Sequence, residues 1–299
     1  MMRILTFGSL NYDYVYSVDH IVQPGETISS ERMETFCGGK GLNQSISLSR
    51  AGAQVELAGM VGEDGDALLE VCKENKIGCS NVQKLPGRSG HTIIQVNKNG
   101  QNCILLYGGS NQKNTKENVD AVLAQFEKGD MILLQNEINC LDYIIEKAYE
   151  KGMKIILNPS PMDDIILNGP MDKVSLFLMN EIEGEQITGE SDPDKILEKM
   201  HQMYPNGEVL LTLGKLGVVY QDKDLNRYRH GIYKVKVVDT VAAGDTFTGF
   251  FISSILNGES IPEALRLASI ASSLAVSVKG ATNSIPTIEM VKSANLELQ

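Results

Sequence analysis

The 299-residue chain carries a formal net charge of −11 and has no Lys/Arg cluster long enough to follow a phosphate backbone, so nucleic acid and anionic membrane surfaces are poor partners. No run of about 18 apolar residues occurs and the N-terminal apolar run is very short, so neither a membrane span nor a secretion signal is expected. The composition, 42% hydrophobic and 22% charged, is ordinary for a globular protein and excludes disorder of the whole chain.

Five cysteines, an odd number, are scattered along the chain without a C-x-x-C pair or a histidine at zinc-finger spacing. This usage is typical of reduced thiols in a cytosolic protein, so we expect a cytoplasmic location. Cys37 directly precedes two glycines, but a single cysteine is more often a small buried hydrophobic residue, and we assign it no role.

Short apolar runs recur along the chain and are separated by segments with the spacing of amphipathic helices. The runs occupy residues 4–7, 55–60, 131–134, 155–157, 174–179 and 209–213. This alternation predicts an α/β fold with a doubly wound, mainly parallel sheet flanked by helices. Ligands of such sheets bind beyond the carboxyl ends of the strands.

Two segments, residues 12–36 and 91–107, instead alternate apolar and polar residues with no helix between them. The second contains Asn97-Lys98-Asn99-Gly100, a hairpin signal. We predict that they form a small antiparallel β lid inserted in an α/β domain of residues 1–11, 37–90 and 108–299. Such a sheet could cover a site, pair with another subunit or be a surface ribbon without function.

The most informative segment is D-T-V-A-A-G-D-T-F-T-G at residues 239–249. Its small residues lead into a predicted helix that Gly258 ends, so their amides should point out of the helix N-terminus, where anions bind. Asp245 falls in the first turn of this helix. It could be a helix-favouring carboxylate or a general base for a hydroxyl that attacks a phosphoryl group, and the residues alone leave both open. A capping box of Ser260 and Glu263 is expected to open the next helix.

The sequence GDTFTG resembles the C-terminal signature of the ribokinase-like family of carbohydrate kinases. About 200 residues earlier, Gly38-Gly39-Lys40-Gly41-Leu42-Asn43-Gln44 is similar to the first signature of that family, at the family's spacing. Neither motif is convincing alone, because glycine-rich turns are common. Further matches in family order are Asn11, Asp13, Glu137, the segment N-E-I-E at 180–183 and the segment T-L-G-K-L-G at 212–217.

The resemblance implies transfer of phosphate from ATP to a sugar hydroxyl, with a role for each matching residue. The implied catalytic groups are the base Asp245 and the amides of Ala242, Ala243, Gly244 and Asp245. The implied sugar-binding residues are Asn11, Asp13, Gly39, Lys40, Asn43, Glu137 and Asp245, and the nucleotide-binding residues are Asn180, Thr212, Gly214, Gly217 and Gly244. The chain departs from the family at Ser269, where an adenine-side asparagine is usual.

The resemblance also implies two kinds of cation. Glu183 would organise Mg²⁺ through water, as suits an ion that keeps its hydration shell. An activating K⁺ would lie near the anion pocket, with oxygen ligands from Asp239, Val241, Ala275, Val278, Gly280 and Ser284. Among these, Asp239 and Ser284 would contribute side chains and the others main-chain carbonyls.

Subfamily features favour D-ribose as the substrate, giving D-ribose 5-phosphate by attack of the primary hydroxyl. These features are the Lys40 form of the first signature, Gln44, the pair Asn11 and Asp13, and the segment P-G-E-T at 24–27. The alternatives within the family are fructose, a sugar phosphate or a nucleoside such as pseudouridine. A phosphosugar would require extra cationic residues, and none stands out. The resemblance further implies a lid that closes on the sugar and pairs two subunits in a homodimer.

Two classes outside the kinases would share part of this pattern. A dinucleotide-dependent dehydrogenase should have G-x-G-x-x-G directly after its first strand, where this chain has Gly8-Ser9-Leu10-Asn11. A non-catalytic sugar sensor could keep Asn11, Asp13 and Asn43 without the base, whereas here Asp245 is present.

Overall fold

The structure, a computed structural model, describes residues 2–299, which form thirteen strands and ten α-helices. The strands are β1 (Ile4–Phe7), β2 (Asn11–Ser17), β3 (Arg32–Gly38), β4 (Val55–Val61), β5 (Gly78–Lys84), β6 (Gly90–Val96), β7 (Asn102–Tyr107), β8 (Met131–Gln135), β9 (Lys154–Asn158), β10 (Leu176–Asn180), β11 (Glu208–Thr212), β12 (Val218–Gln221) and β13 (Arg227–His230). The helices are α1 (Lys40–Arg50), α2 (Asp66–Glu74), α3 (Lys116–Leu123), α4 (Leu141–Glu150), α5 (Asp164–Asn168), α6 (Glu181–Thr188), α7 (Pro193–Met203), α8 (Ala243–Leu256), α9 (Ile261–Ala275) and α10 (Ile288–Ser293). None of the helices described is long and apolar enough to cross a membrane.

Nine strands form the large sheet in the order β13-β12-β11-β10-β9-β8-β1-β4-β5. All neighbours pair in parallel except β12 and β13, which close one edge as antiparallel strands. The chain extends from β1 through β4 and β5 in one direction and through β8 to β11 in the other. The predicted doubly wound, mainly parallel sheet is thereby confirmed, and its switch point lies between β1 and β8, where ligands of such sheets bind.

Helices cover both faces of this sheet, which is why its strands are apolar on both sides. On β8, Met131 and Leu133 join the apolar cluster beneath α1, α8 and α9, whereas Ile132 and Leu134 join the cluster beneath α3, α4 and α7. All four are at most 5% exposed. The two-sided core fixes the carboxyl ends of the strands, from which the candidate site is built.

The second sheet contains four strands in the order β3-β2-β6-β7. β2 pairs antiparallel with β3 and parallel with β6, and β6 and β7 form the expected hairpin. At its turn the Gly100 amide donates to the Asn97 carbonyl at 2.9 Å. Residues 18–31, between β2 and β3, form no strand. Because only three residues separate β1 from β2, the small sheet rises directly from the middle of the large one.

The ends of the C-terminal helices agree with the sequence only in part. Gly258 ends α8 with φ +80, and its amide donates to the Ile255 carbonyl at 3.0 Å. The predicted capping box at Ser260 is wrong, because the Ser260 side chain makes no capping hydrogen bond. Its expected partner Glu263 instead forms a bidentate pair with Arg266, one turn further along α9.

Candidate active site

Close packing of α1 against α8 brings the two glycine signatures together. A Cβ on Gly249 would collide with Ser47, and Ser47 Oγ donates to the Thr246 carbonyl at 2.8 Å. At the start of α1, a Cβ on Gly41 would lie 2.5 Å from the Ser9 amide nitrogen, so only glycine lets this helix approach the end of β1. These glycines therefore set how closely α1 approaches α8 and the end of β1.

Asp245 lies in the first turn of α8 and is held by two amide side chains of α1. Asn43 Nδ2 donates to Asp245 Oδ2 at 3.0 Å, and Gln44 Nε2 donates to Asp245 Oδ1 at 2.8 Å. Each carboxylate oxygen keeps further acceptor capacity. The carboxylate is thus oriented by two neutral donors and keeps lone pairs for a further hydrogen bond.

The N-terminus of α8 presents free amides beside this carboxylate. Ala242 precedes the helix in the left-handed conformation, with φ 59, and provides no side-chain cap. Within residues 2–299, the amides of Gly244 and Asp245 have no hydrogen-bond acceptor. Helix N-terminal amides of this kind bind anions, and the helix dipole adds to their attraction.

A cleft of about 260 Å³ opens in front of these amides, at the carboxyl ends of β9, β10 and β11. Predicted site residues that line it are Lys40, Asn180, Glu183, Thr212, Ala242, Ala243, Gly244 and Asp245. The cleft also exposes Asn158 and Thr240, which the sequence did not indicate. A Cβ on Gly244 would meet nothing within 4 Å, so this position leaves open space beside the amides.

Lys40 provides the positive charge of the site. Burial lowers the pKa of its ammonium, but the carboxylates of Asp245, Glu137 and Glu183 outweigh that effect and raise the pKa above its usual value. The ammonium is therefore charged at neutral pH and offsets part of the negative charge around it. A cation here suits a site that binds a polyanionic substrate.

Glu137 follows β8, next to the switch point of the sheet. Its Oε2 accepts hydrogen bonds from Ser9 Oγ and, at 3.1 Å, from the Lys40 amide. Ser9 is fully buried. The carboxylate thus joins the ends of β1, β8 and α1, the three elements that converge at this point.

Asp13 points from β2 into the same region. Thr92 Oγ1 donates to Asp13 Oδ1 at 2.6 Å, and a Cβ on Gly38 would collide with Asp13 Oδ2. Burial raises the pKa of the Asp13 carboxyl to about 6; the Thr92 hydrogen bond opposes the rise, and the charges of Glu137 and Asp245 add to it. Asp13 is therefore a carboxylate held in an environment that disfavours its charge.

Asn11 lies two residues earlier and, because side chains alternate along a strand, on the same face of β2. It is 1% exposed, and its Oδ1 accepts a hydrogen bond from Asn111 Nδ2 at 2.6 Å. Asn111 Oδ1 in turn accepts from the Leu10 amide at 3.2 Å. Asn111 thereby fixes the rotamer of Asn11, with its carbonyl bound and its NH₂ group available.

Asn180 and Glu183 form a capping box at the start of α6. The Glu183 amide donates to Asn180 Oδ1 at 2.8 Å, and the Asn180 amide donates to Glu183 Oε2 at 3.0 Å. Burial raises the pKa of Glu183, although the Asn180 amide and the Lys40 charge oppose the rise. The capping geometry leaves Glu183 Oε1 outside the box, and both residues line the cleft.

Three of the residues predicted for the nucleotide, Thr212, Gly214 and Gly217, lie at the end of β11 and on the turn that follows it. Thr212 lines the cleft, and Gly214 is exposed with φ +52. Gly217 is buried, and its φ of +89 together with the nearby His230 carbonyl leaves no room for a side chain. Gly217 therefore shapes the turn without lining the cleft. Ser269, where the chain departs from the family, is a buried residue of α9.

The groups predicted for a monovalent cation lie on two segments that Asp239 ties together. Asp239 Oδ1 accepts from the Val241 amide and Asp239 Oδ2 from the Gly280 amide, both at 3.0 Å. The other predicted groups follow α9: the Ala275 carbonyl accepts the Val278 amide at 3.1 Å, and Ser284 is buried. Asp239 thus contacts both segments that carry the predicted cation ligands.

Several residues that shape the site were not predicted. They are Ser9, Gln44, Thr92, Asn111, Gln135 and Asn158. The sequence marks Gln44 as a subfamily feature but indicates no contact for it. Asn158 Nδ2 donates to the Leu178 carbonyl at 3.0 Å, whereas its Oδ1 is buried and has no partner among the described residues. That carbonyl is a free acceptor or ligand at the edge of the cleft.

Comparison with known proteins places this site in a family. The model of the pfkB family carbohydrate kinases matches residues 1–288. The ribokinase of Haemophilus influenzae is 32% identical over 297 residues, which cover 96% of each chain. Among solved structures, the ribokinase of Cryptococcus neoformans var. grubii in complex with ADP gives a TM-score of 0.84 at 30% identity, covering 98% of this chain and 99% of that one. Arabidopsis thaliana ribokinase complexed with ribose and ATP gives 0.85 at 28% identity, covering 98% of each chain.

The fold, the anion-binding helix N-terminus and the oriented carboxylate define a phosphotransferase, and this chain belongs to the pfkB family of carbohydrate kinases. Within that family it is a ribokinase-like member, as its first and C-terminal signatures predicted.

Proposed function

We propose that this protein transfers the γ-phosphoryl group of ATP to the primary hydroxyl of D-ribose, giving D-ribose 5-phosphate and ADP. The observation that carries the proposal is the position of Asp245, held by Asn43 and Gln44 directly beside the free amides of the α8 N-terminus. Similarity to ribokinases, one of them complexed with ribose and ATP, supports the choice of substrates.

In the proposed reaction, Asp245 removes the proton of the sugar hydroxyl as its oxygen attacks the γ-phosphorus. A new P–O bond forms to the sugar, the bond from the γ-phosphorus to the bridging oxygen of ATP breaks, and ADP leaves. The amides of Gly244 and Asp245, with the Lys40 ammonium, stabilise charge on the transferring group. Asn11, Asp13, Asn43 and Glu137 bind the sugar hydroxyls, since amides and carboxylates together can pair with groups that both donate and accept.

The donor groups at the far side of the cleft fit a divalent cation. Glu183 Oε1 and the unpartnered Asn158 Oδ1 are oxygen ligands of the kind that Mg²⁺ binds, directly or through water. Bound Mg²⁺ would neutralise charge on the phosphates. We propose that Asn180 acts here mainly by holding Glu183 in place, and that Thr212 and Gly214 lie along the nucleotide.

The small sheet is proposed to be a lid and a dimer contact. Its edge strand β7 is exposed along its whole length, with Ile104 57%, Leu105 67% and Tyr107 55% exposed. An apolar edge strand of this kind normally pairs with another strand, and a second copy of the same lid would satisfy it. Closure over the sugar would exclude water and limit hydrolysis of ATP. The free cysteines favour a reducing, cytoplasmic location.

The test is ADP release from ATP with Mg²⁺ and K⁺ against ribose, deoxyribose, fructose, fructose 6-phosphate, adenosine and pseudouridine. Ribose-dependent turnover that Asp245→Asn lowers by roughly 10³-fold or more would support the proposal. Turnover on another acceptor alone would preserve the mechanism and reject ribose. Sugar binding without turnover of any acceptor would indicate a sensor and reject the kinase function.

A further inference from the structure

A chain of buried amide side chains leads from Asp245 into the protein. Gln44 Nε2 donates to Asp245 Oδ1 at 2.8 Å, and Gln135 Nε2 donates to Gln44 Oε1 at 2.7 Å. Gln44 is 1% exposed and Gln135 is 0% exposed, so neither side chain reaches the solvent. We propose that Gln44 and Gln135 form a relay that positions the Asp245 carboxylate for proton transfer. The relay rests on the proposed function, because it requires Asp245 to be the base.

The direction of the relay follows from the chemistry of its ends. An ionised carboxylate only accepts hydrogen bonds, so Gln44 must turn its NH₂ group towards Asp245 and its carbonyl towards the interior. That carbonyl then requires a buried donor, and Gln135 provides it from the end of β8. Without Gln135, the Gln44 carbonyl would be unpaired and the amide would lose its fixed orientation. Gln135 therefore acts on Asp245 through Gln44.

The far end of the relay carries an uncompensated polar atom. Gln135 Oε1 is buried and has no hydrogen-bond partner in the part of the chain that the structure describes. It faces Gly8, where a Cβ would collide with this oxygen. Buried polar groups are usually paired, because burying a polar atom without a hydrogen bond costs free energy. An apolar side chain at the end of this buried strand would avoid that cost. The presence of a glutamine at position 135 is explained if its NH₂ group is needed to orient Gln44.

Three other carboxylates and one cation lie around Asp245. Asp13 on β2, Glu137 after β8 and Glu183 on α6 lie near enough for their charges to be coupled to one another or to Asp245, and Lys40 on α1 is the opposing cation. Hydrogen bonds to the charged form of a carboxyl favour that form. The Gln44 donor therefore holds the Asp245 carboxylate pointed at the hydroxyl. Gln44 and Gln135 are positioning residues, since neither lines the cleft.

The test compares Gln44→Met, Gln135→Met and the double variant, using whichever acceptor the unmodified protein phosphorylates. For Gln44→Met we expect kcat to fall about 10- to 100-fold, the KM of the acceptor to stay within about twofold, and the acid limb of the kcat profile to move up by roughly 0.5–1 pH unit. Gln135→Met should show the same pattern with a loss of about 3- to 10-fold. The double variant should equal Gln44→Met, because Gln135 acts only through Gln44.

Gln221 provides the matched control. It is 2% exposed, its Nε2 donates to the Leu197 carbonyl at 3.2 Å, and it lies on β12 outside the cleft. Gln221→Met should lower the unfolding temperature and leave kcat and the acid limb unchanged. Gln135→Met leaves the direct contact between Gln44 and Asp245 in place. It therefore tests the relay by itself if Gln44→Met does not fold.

Three results would overturn the inference. If Gln44→Met left kcat and the acid limb of the kcat profile unchanged, Gln44 would not position Asp245. A double variant whose loss is the product of the two single losses would show that Gln135 does not act through Gln44. An unmodified protein that phosphorylates no acceptor would reject the proposed function together with the relay, whereas either of the first two results would reject the relay alone.

Discussion

Asn43 and Asp245 lie 202 positions apart, and Asn43 Nδ2 donates a hydrogen bond to Asp245 Oδ2 at 3.0 Å. The contact joins the two signatures that suggested a kinase. Asn43 is 6% exposed, and its Oδ1 has no partner among residues 2–299. The donor of this amide group thus holds Asp245. We propose that its acceptor binds a sugar hydroxyl, which would couple the orientation of Asp245 to the binding of the sugar.

Replacement of Asn43 by alanine should therefore affect both steps. We expect the KM of the sugar to rise and kcat to fall, each by about tenfold, with the KM of ATP little changed. Ser45→Ala is the control, because Ser45 is equally buried on α1 but bonds only the Gly41 carbonyl. Steady-state kinetics with each substrate varied separately distinguish the effects, and an unchanged sugar KM would contradict the assignment of the free carbonyl.

Two glycines of the C-terminal signature should respond in opposite ways to alanine. Gly249 faces Ser47 and Leu48 so closely that an added methyl group must push α1 and α8 apart. Gly249→Ala should lower the free energy of unfolding by about 1–3 kcal/mol, as overpacking does, and reduce kcat because Asn43 and Asp245 separate. Urea unfolding and kcat measure the two consequences, and unaltered stability would show that the helices adjust freely.

Gly244→Ala should instead preserve the fold and impair the reaction. A Cβ at this position meets nothing in the protein, and alanine in a helix is favoured over glycine by up to about 1 kcal/mol, so stability should be equal or higher. The methyl group would nevertheless occupy space beside the anion-binding amides. We expect the KM of ATP to rise about tenfold or kcat to fall comparably, whereas unchanged kinetics would place the phosphate elsewhere.

Asp239 provides a test of the proposed K⁺ site. Each of its oxygens accepts one amide, from Val241 and from Gly280, so Asp239→Asn would place an NH₂ group against one of these donors. Turnover of the unmodified protein should rise on addition of K⁺ and much less with Li⁺. In Asp239→Asn the response to K⁺ should be lost. A variant that K⁺ still activates to the same extent would assign the cation to other ligands.

The parallel sheet, the hairpin and the two signatures could be predicted because each depends on neighbouring residues. Apolar runs such as that of β8 and turns such as Asn97 to Gly100 carry their signal locally. The contacts that complete the site have no such local signal in the sequence. Gln135 and Gln44 are 91 positions apart, and Asn111 and Asn11 are 100 apart, so no local pattern marks either pair.

Capping residues show a second limit of prediction from sequence, because the side chains of one motif can bond to different partners. The family resemblance implies that Asn180 binds the nucleotide and that Glu183 organises Mg²⁺, and in the structure the two side chains also close a capping box on α6. The pattern of Ser260 and Glu263 was assigned to a capping box, and Glu263 bonds Arg266 instead. The sequence contains the donors and acceptors in each case, but the packing of the surrounding elements decides which of them meet.

Asp13 links the proposed sugar site to the stability of the protein. Burial, followed by the charges of Glu137 and Asp245, raises the pKa of its carboxyl to about 6, whereas a carboxyl in the unfolded chain titrates near about 3.9. Between these values the folded state holds more protons than the unfolded state, so the free energy of unfolding falls as the pH rises. Above about pH 6 the full cost of the ionised Asp13 is present, on the order of 1–3 kcal/mol for a shift of this size.

Asp13→Asn should therefore stabilise the sugar-free protein and impair its function. Asparagine still accepts the Thr92 hydrogen bond and carries no charge, so the gain over the unmodified protein should widen from about pH 4 to about pH 6 and level off above that. Thr92→Val should act in the opposite direction, because it removes the hydrogen bond that favours the ionised carboxyl. Urea unfolding across this pH range measures both changes, and sugar KM measures the functional loss. If Asp13→Asn destabilised the protein equally at every pH, the environment of Asp13 would not disfavour its charge.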